Sequence, residues 1–114
     1  MTNYTRGRIR EYQTMHILRD DGWMVSRSAM SHGPVDVFAA KNGIVKLIQV
    51  KSGSSRMKKG DLEILGSWAE AFNARAEVWY YKKRGRLQKI PVKPEVVQNN
   101  GVVATASSFP PIPL

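Results

Sequence analysis

The chain has 114 residues, the size of one domain and too short for two ordinary ones. Lys and Arg outnumber Asp and Glu 18 to 9, a formal charge of +9, so the expected partner is a polyanion, nucleic acid before membrane. With no cysteine there is no disulfide framework, thiolate metal site or cysteine nucleophile, and no apolar run approaches the ~20 residues of a membrane span. A cytoplasmic protein without a secretory signal is expected, and the Asn3-Tyr4-Thr5 sequon is discounted accordingly.

The first predicted element is a helix over Arg6–Asp21. Ile9, Tyr12, His16 and Arg19 form one stripe, widened by Met15, Ile17 and Leu18, and Gly22 supplies the stop. His16 on that stripe is expected in the core or at an interface. Gly7 and Glu11 lie one turn apart on a common face. The glycine either lets another backbone approach the carboxylate or lies in a frayed first turn. Trp23–Ser28 reads as a strand, followed by a loop over residues 29–34.

Val35–Lys51 then reads as a hairpin, because Asn42-Gly43 suits a two-residue turn in which both residues take positive φ. Setting Lys41 opposite Ile44 and extending the register brings Asp36 opposite Gln49, with Lys51 on the same face. Phe38, Ala40, Val45 and Leu47 share that face. Val35, Val37, Ala39, Ile44, Ile48 and Val50 occupy the other. A hairpin apolar on both faces must be covered on both.

Ser52–Gly60 is a loop of small and cationic residues, and a second helix is expected over Asp61–Asn73. Its stripes, Leu62/Leu65/Ala69/Phe72 and Ile64/Trp68/Ala71, suit a helix that packs on the sheet and also self-associates. Glu77–Lys82 reads as a strand, followed by a basic turn and a last strand over Leu87–Val92. Trp68, Trp79, Tyr80 and Tyr81 are expected as core residues. The order α-β-β-β-α-β-β gives an α/β fold with a central mixed sheet flanked by helices. Residues 1–93 form the domain. Residues 94–114 are an apolar, Pro-ending tail, disordered or docked on a partner subunit.

Carboxylate, amide and backbone carbonyl oxygens suit Mg²⁺ or Mn²⁺. Asp36, Gln49 and the Val50 carbonyl supply such a set, Glu11 offers a second carboxylate, and Lys51 stands ready to orient water and balance phosphate charge. On spacing alone, an edge Asp–Lys pair with Gln49 as a polar neighbour remains an equal reading. Arg6, Arg8, Arg10, Arg56, Lys58, Lys59 and the basic 82–89 turn, with Lys82, Lys83 and Arg84 foremost, are placed to contact phosphates, which carry no sequence information, so recognition would be of shape.

Gly7-x-x-x-Glu11, Arg27-Ser28-Ala29-Met30-Ser31, Val35-Asp36-Val37-Phe38-Ala39 and Ile48-Gln49-Val50-Lys51, in that order, resemble the archaeal-type Holliday-junction resolvases of the restriction-endonuclease-like (PD-(D/E)xK) superfamily. The resemblance spans roughly residues 5–92. It implies a restriction-endonuclease-like sandwich and a DNA-associated homodimer of archaeal or viral type. It also implies paired, metal-dependent nicks on a four-way junction, with Glu11, Asp36, Gln49 and Lys51 in metal and catalytic roles. Ser31 would contribute to cleavage from its loop, and Arg27 and His32 would join the DNA contacts. Gln49 stands where the family usually has Glu, and Met30 where it has Gly. A nuclease of the same fold acting on flaps, nicks or ends, or an inactive DNA-binding module, is the alternative.

Overall fold

The computed structural model describes residues 3–28, 33–53 and 55–92, with side chains from residue 7 onward. Helix α1 spans Asn3–Asp20, beginning three residues before the expected start, so Gly7 lies inside the helix rather than in a frayed first turn. Its end is a Schellman turn: the Trp23 N–H donates to the Leu18 carbonyl (3.0 Å), the Gly22 N–H to the Arg19 carbonyl (2.9 Å), and Gly22 takes φ +90°.

Strands β1 (Met24–Arg27), β2 (Val37–Lys41) and β3 (Ile44–Ser52) follow as an antiparallel meander. The β2–β3 turn is the expected one, with Asn42 at φ 51° and Gly43 at φ 81°. Helix α2 (Lys59–Phe72) crosses over to β4 (Arg75–Tyr81), which runs parallel to β3, and β5 (Leu87–Val92) returns antiparallel at the edge. Pro91 is tolerated in β5 because an edge strand has one unpaired side.

Alternation along the strands feeds two cores. Met15, Leu18, Val37, Ala39, Ile48, Val50, Trp79 and Tyr81 pack on the α1 side. Val35, Leu47, Leu65, Ala69, Ala76 and Val78 pack on the α2 side. The sheet is therefore mixed and covered on both faces, as its two-sided hydrophobicity requires.

Several side chains depart from expectation. Ile9 (45% exposed), Tyr12 (51% exposed), His16 and Arg19 face outward. The buried face of α1 instead carries Thr14, Met15 and Leu18. Thr14 is buried because its hydroxyl is satisfied twice, donating to the Arg10 carbonyl (2.8 Å) and sharing a hydrogen bond with the Tyr81 hydroxyl (2.7 Å). His16 sits in an exposed pair with Asp20 at 3.5 Å, not in the core. Trp79 and Tyr81 are core residues as expected, whereas Trp68 is 37% exposed. Val35 packs on the α2 side, opposite to its expected face.

Candidate active site

The reversal at Val35 has a local cause that also shapes the site. The β2–β3 register holds from Lys41↔Ile44 to Val37↔Ile48. The Asp36 N–H then donates to the Ile48 carbonyl (2.8 Å) rather than continuing the pairing to Gln49. Such a one-residue slip is the signature of a β-bulge, and it turns the preceding side chain to the other face. Asp36 is thus not the simple cross-strand partner of Gln49. It sits at the bulge immediately before β2, its carbonyl accepting the Ser28 N–H (2.9 Å) and its Oδ2 accepting the Val50 N–H (2.8 Å).

Burial pushes the Asp36 carboxyl up from its ordinary 3.8 to about 6. The Val50 N–H opposes this shift, the negative charge of Glu11 adds to it, and the ammonium of Lys51 opposes it. Glu11 on α1 and Lys51 on β3 therefore both lie within electrostatic reach of Asp36. Glu11 is held in turn by Arg27 of β1, with Arg27 Nη1 3.2 Å from Glu11 Oε1 and the two side chains 22% and 21% exposed. That hydrogen bond raises the Arg27 pKa, and the guanidinium lies 5.1 Å from the centre of the Tyr12 ring. Among the described residues, nothing beyond its own helix lies within 4 Å of where a Cβ would stand on Gly7, one turn before Glu11.

Asp36, just before β2, is met by Glu11 from α1 and Lys51 from β3, and Glu11 by Arg27 from β1, while Gln49, two residues before Lys51 on β3, is half-buried. Among the described residues, no three His, Cys, Asp or Glu side chains stand close enough to hold a metal together. The candidate donors are two carboxylates, an amide and a main-chain carbonyl. Mg²⁺ needs little more, since it commonly takes one or two carboxylates and keeps several waters. The mutual disfavour of the Asp36 and Glu11 charges is what a divalent cation between them would relieve, so the residues present fit such an ion.

The remaining site candidates divide. Arg10 is occupied internally, donating to Gln13 Oε1 (2.8 Å) and lying 5.0 Å from the Tyr81 ring centre. Arg8 is half-buried. Arg56, Lys58, Lys59, Lys82, Lys83 and Arg84 are exposed, with Arg84 in the left-handed region at φ 64°. Ser31, His32 and the side chain of Arg6 lie outside the described residues, as do residues 94–114. Sequence reasoning missed the Arg27–Glu11 pair, whose signal is only a cation at the end of a strand, and it did not foresee that Arg86 and Gln88 of the 82–89 turn line a cleft with Arg56, Lys82 and Lys83.

The mixed five-stranded sheet between two helices is an α/β sandwich of the restriction-endonuclease-like type. The archaeal Holliday junction resolvase (Hjc) family model matches residues 2–105, and the chain belongs to that family. The 1.6 Å structure of Archaeoglobus fulgidus Hjc, described as a Holliday junction resolvase from an archaeal hyperthermophile, shares the fold: TM-score 0.67, 24% sequence identity, covering 76% of this chain and 73% of that one. No curated protein sequence matches the chain.

Proposed function

We propose that the chain resolves four-way DNA junctions as a homodimer, making paired nicks by Mg²⁺- or Mn²⁺-dependent phosphodiester hydrolysis. Family membership supports the junction as substrate. The observation that carries the chemistry is the part-buried Asp36 carboxylate with Glu11 and Lys51 both acting on it.

Asp36, Glu11, the Gln49 amide and the Val50 carbonyl would hold the ion. When bound, it supplies Lewis-acid activation of water and neutralisation of phosphate charge. The protein supplies positioning. The Val50 N–H fixes one oxygen of Asp36, and Arg27 fixes Glu11. Lys51 orients the attacking water and meets the charge that develops on the phosphate oxygens. Ser31 would act from its loop. Arg6, Arg8, Arg10, Arg27, His32, Arg56, Lys58, Lys59, Lys82, Lys83 and Arg84 are the proposed phosphate contacts, the exposed ones most directly. Ile64, Trp68 and Phe72, exposed along α2, supply an apolar face for the second copy.

Incubation of the protein with a synthetic four-way junction and with linear duplex, in Mg²⁺ and in Mn²⁺, tests the reading. Wild type should cut the junction symmetrically and spare the duplex, and Asp36→Asn should cut neither. Equal cutting of both substrates, or no cutting with either metal, would count against it. One observation favours a second reading, a DNA-binding module without activity: Gln49 leaves two carboxylates where a third would strengthen the site. Calorimetry with Mn²⁺ separates the two, because the inactive module would bind the ion only after Gln49→Glu.

A further inference from the structure

The cross-strand rows of the sheet carry the site sideways. Gln49 on β3 faces Val78 on β4, which faces Ile90 on β5; Lys51 faces Tyr80, which faces Gln88. Partners in register point to the same face, so the surface holding Gln49 and Lys51 continues through Tyr80 to Ile90 and Gln88. Two strand spacings separate Lys51 from Gln88, about 10 Å. Over this extension lies a cleft of about 420 Å³. Tyr80 and Ile90 give it apolar surface and Gln88 an amide, while Arg56, Lys82 and Arg86 supply cations. Among the described residues, no carboxylate lines it. The Tyr80 hydroxyl accepts the Met57 N–H (3.4 Å), which ties the ring to the segment that carries Arg56.

We propose that this cleft is a subsite for one unstacked nucleotide of the DNA strand adjacent to the cut, its base lying against Tyr80 and Ile90 and its flanking phosphates held by Arg56, Lys82 and Arg86. The subsite rests on the nuclease reading for its place beside Lys51. A phosphate ribbon alone would be served by cations on an open ridge and gains nothing from an aromatic and an aliphatic surface. A base has a face to lay on them, and the volume falls in the range of small-molecule pockets, about 300–1,000 Å³. The Gln88 amide can donate and accept, so it can pair with the edge of any base without selecting one. Extruding a nucleotide costs least where pairing is already interrupted, as at a branch point.

Thymidine 3′,5′-bisphosphate carries one base between two phosphates and is the direct probe. Titrated into ¹⁵N-labelled wild type, it should shift the Tyr80, Gln88 and Ile90 amides and bind at least about tenfold tighter than inorganic phosphate. Ile90→Trp fills the cleft at a position already 38% exposed on an edge strand. It should remove that tenfold advantage and leave phosphate binding intact; Gln88→Leu should weaken the bisphosphate less, and serves if the tryptophan variant does not fold. Equal affinity for bisphosphate and phosphate, no binding of either, or a bisphosphate affinity unmoved by both variants would overturn the subsite. In parallel, a four-way junction with 2-aminopurine beside the cut should brighten on binding wild type in Ca²⁺, and this gain should vanish in Ile90→Trp. A junction that binds and is cut without brightening sinks the subsite and spares the resolvase. A junction left uncut while the bisphosphate binds as expected sinks the resolvase reading and spares the subsite.

Discussion

Asp36 meets two opposed demands, since the proposed chemistry needs its carboxylate ionised and the fold disfavours the charge. Its folded pKa of about 6 lies above the ordinary 3.8, so the folded chain holds the proton more tightly than the unfolded chain does. The stability contributed by Asp36 is therefore full below about pH 4 and is lost as pH rises through about 6. Asp36→Asn keeps an oxygen for the Val50 N–H and removes the charge. In EDTA at pH 8 it should be more stable than wild type, by up to about 3 kcal/mol, and the two proteins should converge towards pH 4. Urea denaturation at both pH values measures this, and a destabilised Asp36→Asn at pH 8 would show that the carboxylate is not strained. Gln49→Glu makes the opposite change. A third carboxylate should tighten Mn²⁺ binding by about tenfold or more in calorimetry at pH 8 and lower the stability of the metal-free fold. Unchanged affinity would mean that Gln49 does not face the ion.

At the scale of elements, the two helices were legible to different degrees. Both stripes of α2 were readable from a 3.6-residue period, and its extra stripe predicted a surface left over after packing. Leu65 and Ala69 are buried, while Ile64, Trp68 and Phe72 are 51%, 37% and 48% exposed. Trp68 stacks on Phe72 at 6.0 Å and Phe72 meets Phe38 at 6.0 Å, which makes one continuous aromatic patch. Trp68→Glu should convert the proposed dimer to monomer in sedimentation equilibrium without loss of helical circular dichroism, weakening association by about thirtyfold or more, as for a central aromatic anchor. A dimer of unchanged affinity would place the interface elsewhere. On α1 the apolar stripe was misjudged. Thr14 is a polar residue whose burial depends on Tyr81, 67 positions away in sequence, and no local period reports such a partner. The hairpin was legible in turn and register, because Asn42-Gly43 dictates both, but the bulge at Asp36 was not. Nothing in the composition of that segment marks a slip of one residue.

At the scale of the molecule, charge and topology set what binds and where. The exposed cations among the proposed contacts fall in two segments, Arg56, Lys58 and Lys59 at the start of α2 and Lys82, Lys83 and Arg84 between β4 and β5, and Arg56, Lys82 and Lys83 line the same cleft. If six or more of the proposed contacts reach phosphates, junction affinity should fall by about 10³ or more between 50 and 200 mM salt. The triple change Lys82→Ala, Lys83→Ala, Arg84→Ala should flatten the slope of log K against log salt by about 2 to 3. Fluorescence anisotropy measures both, and a salt-independent affinity would remove phosphate contacts from the account.

By itself, the sequence determined the α/β class, the hairpin and its turn, and it nominated a polyanionic partner and the members of the proposed site. These follow from period, turn chemistry and charge, which are local properties of the chain. Tertiary structure decided the rest. The α2 crossover set β4 parallel to β3 and so laid Tyr80 and Gln88 beside Lys51. Packing of α1 across the sheet brought Glu11 to Asp36 and Arg27 to Glu11. The raised pKa of Asp36 belongs to that assembly, since burial and the charges of Glu11 and Lys51 reach it only when α1 and β3 are in place.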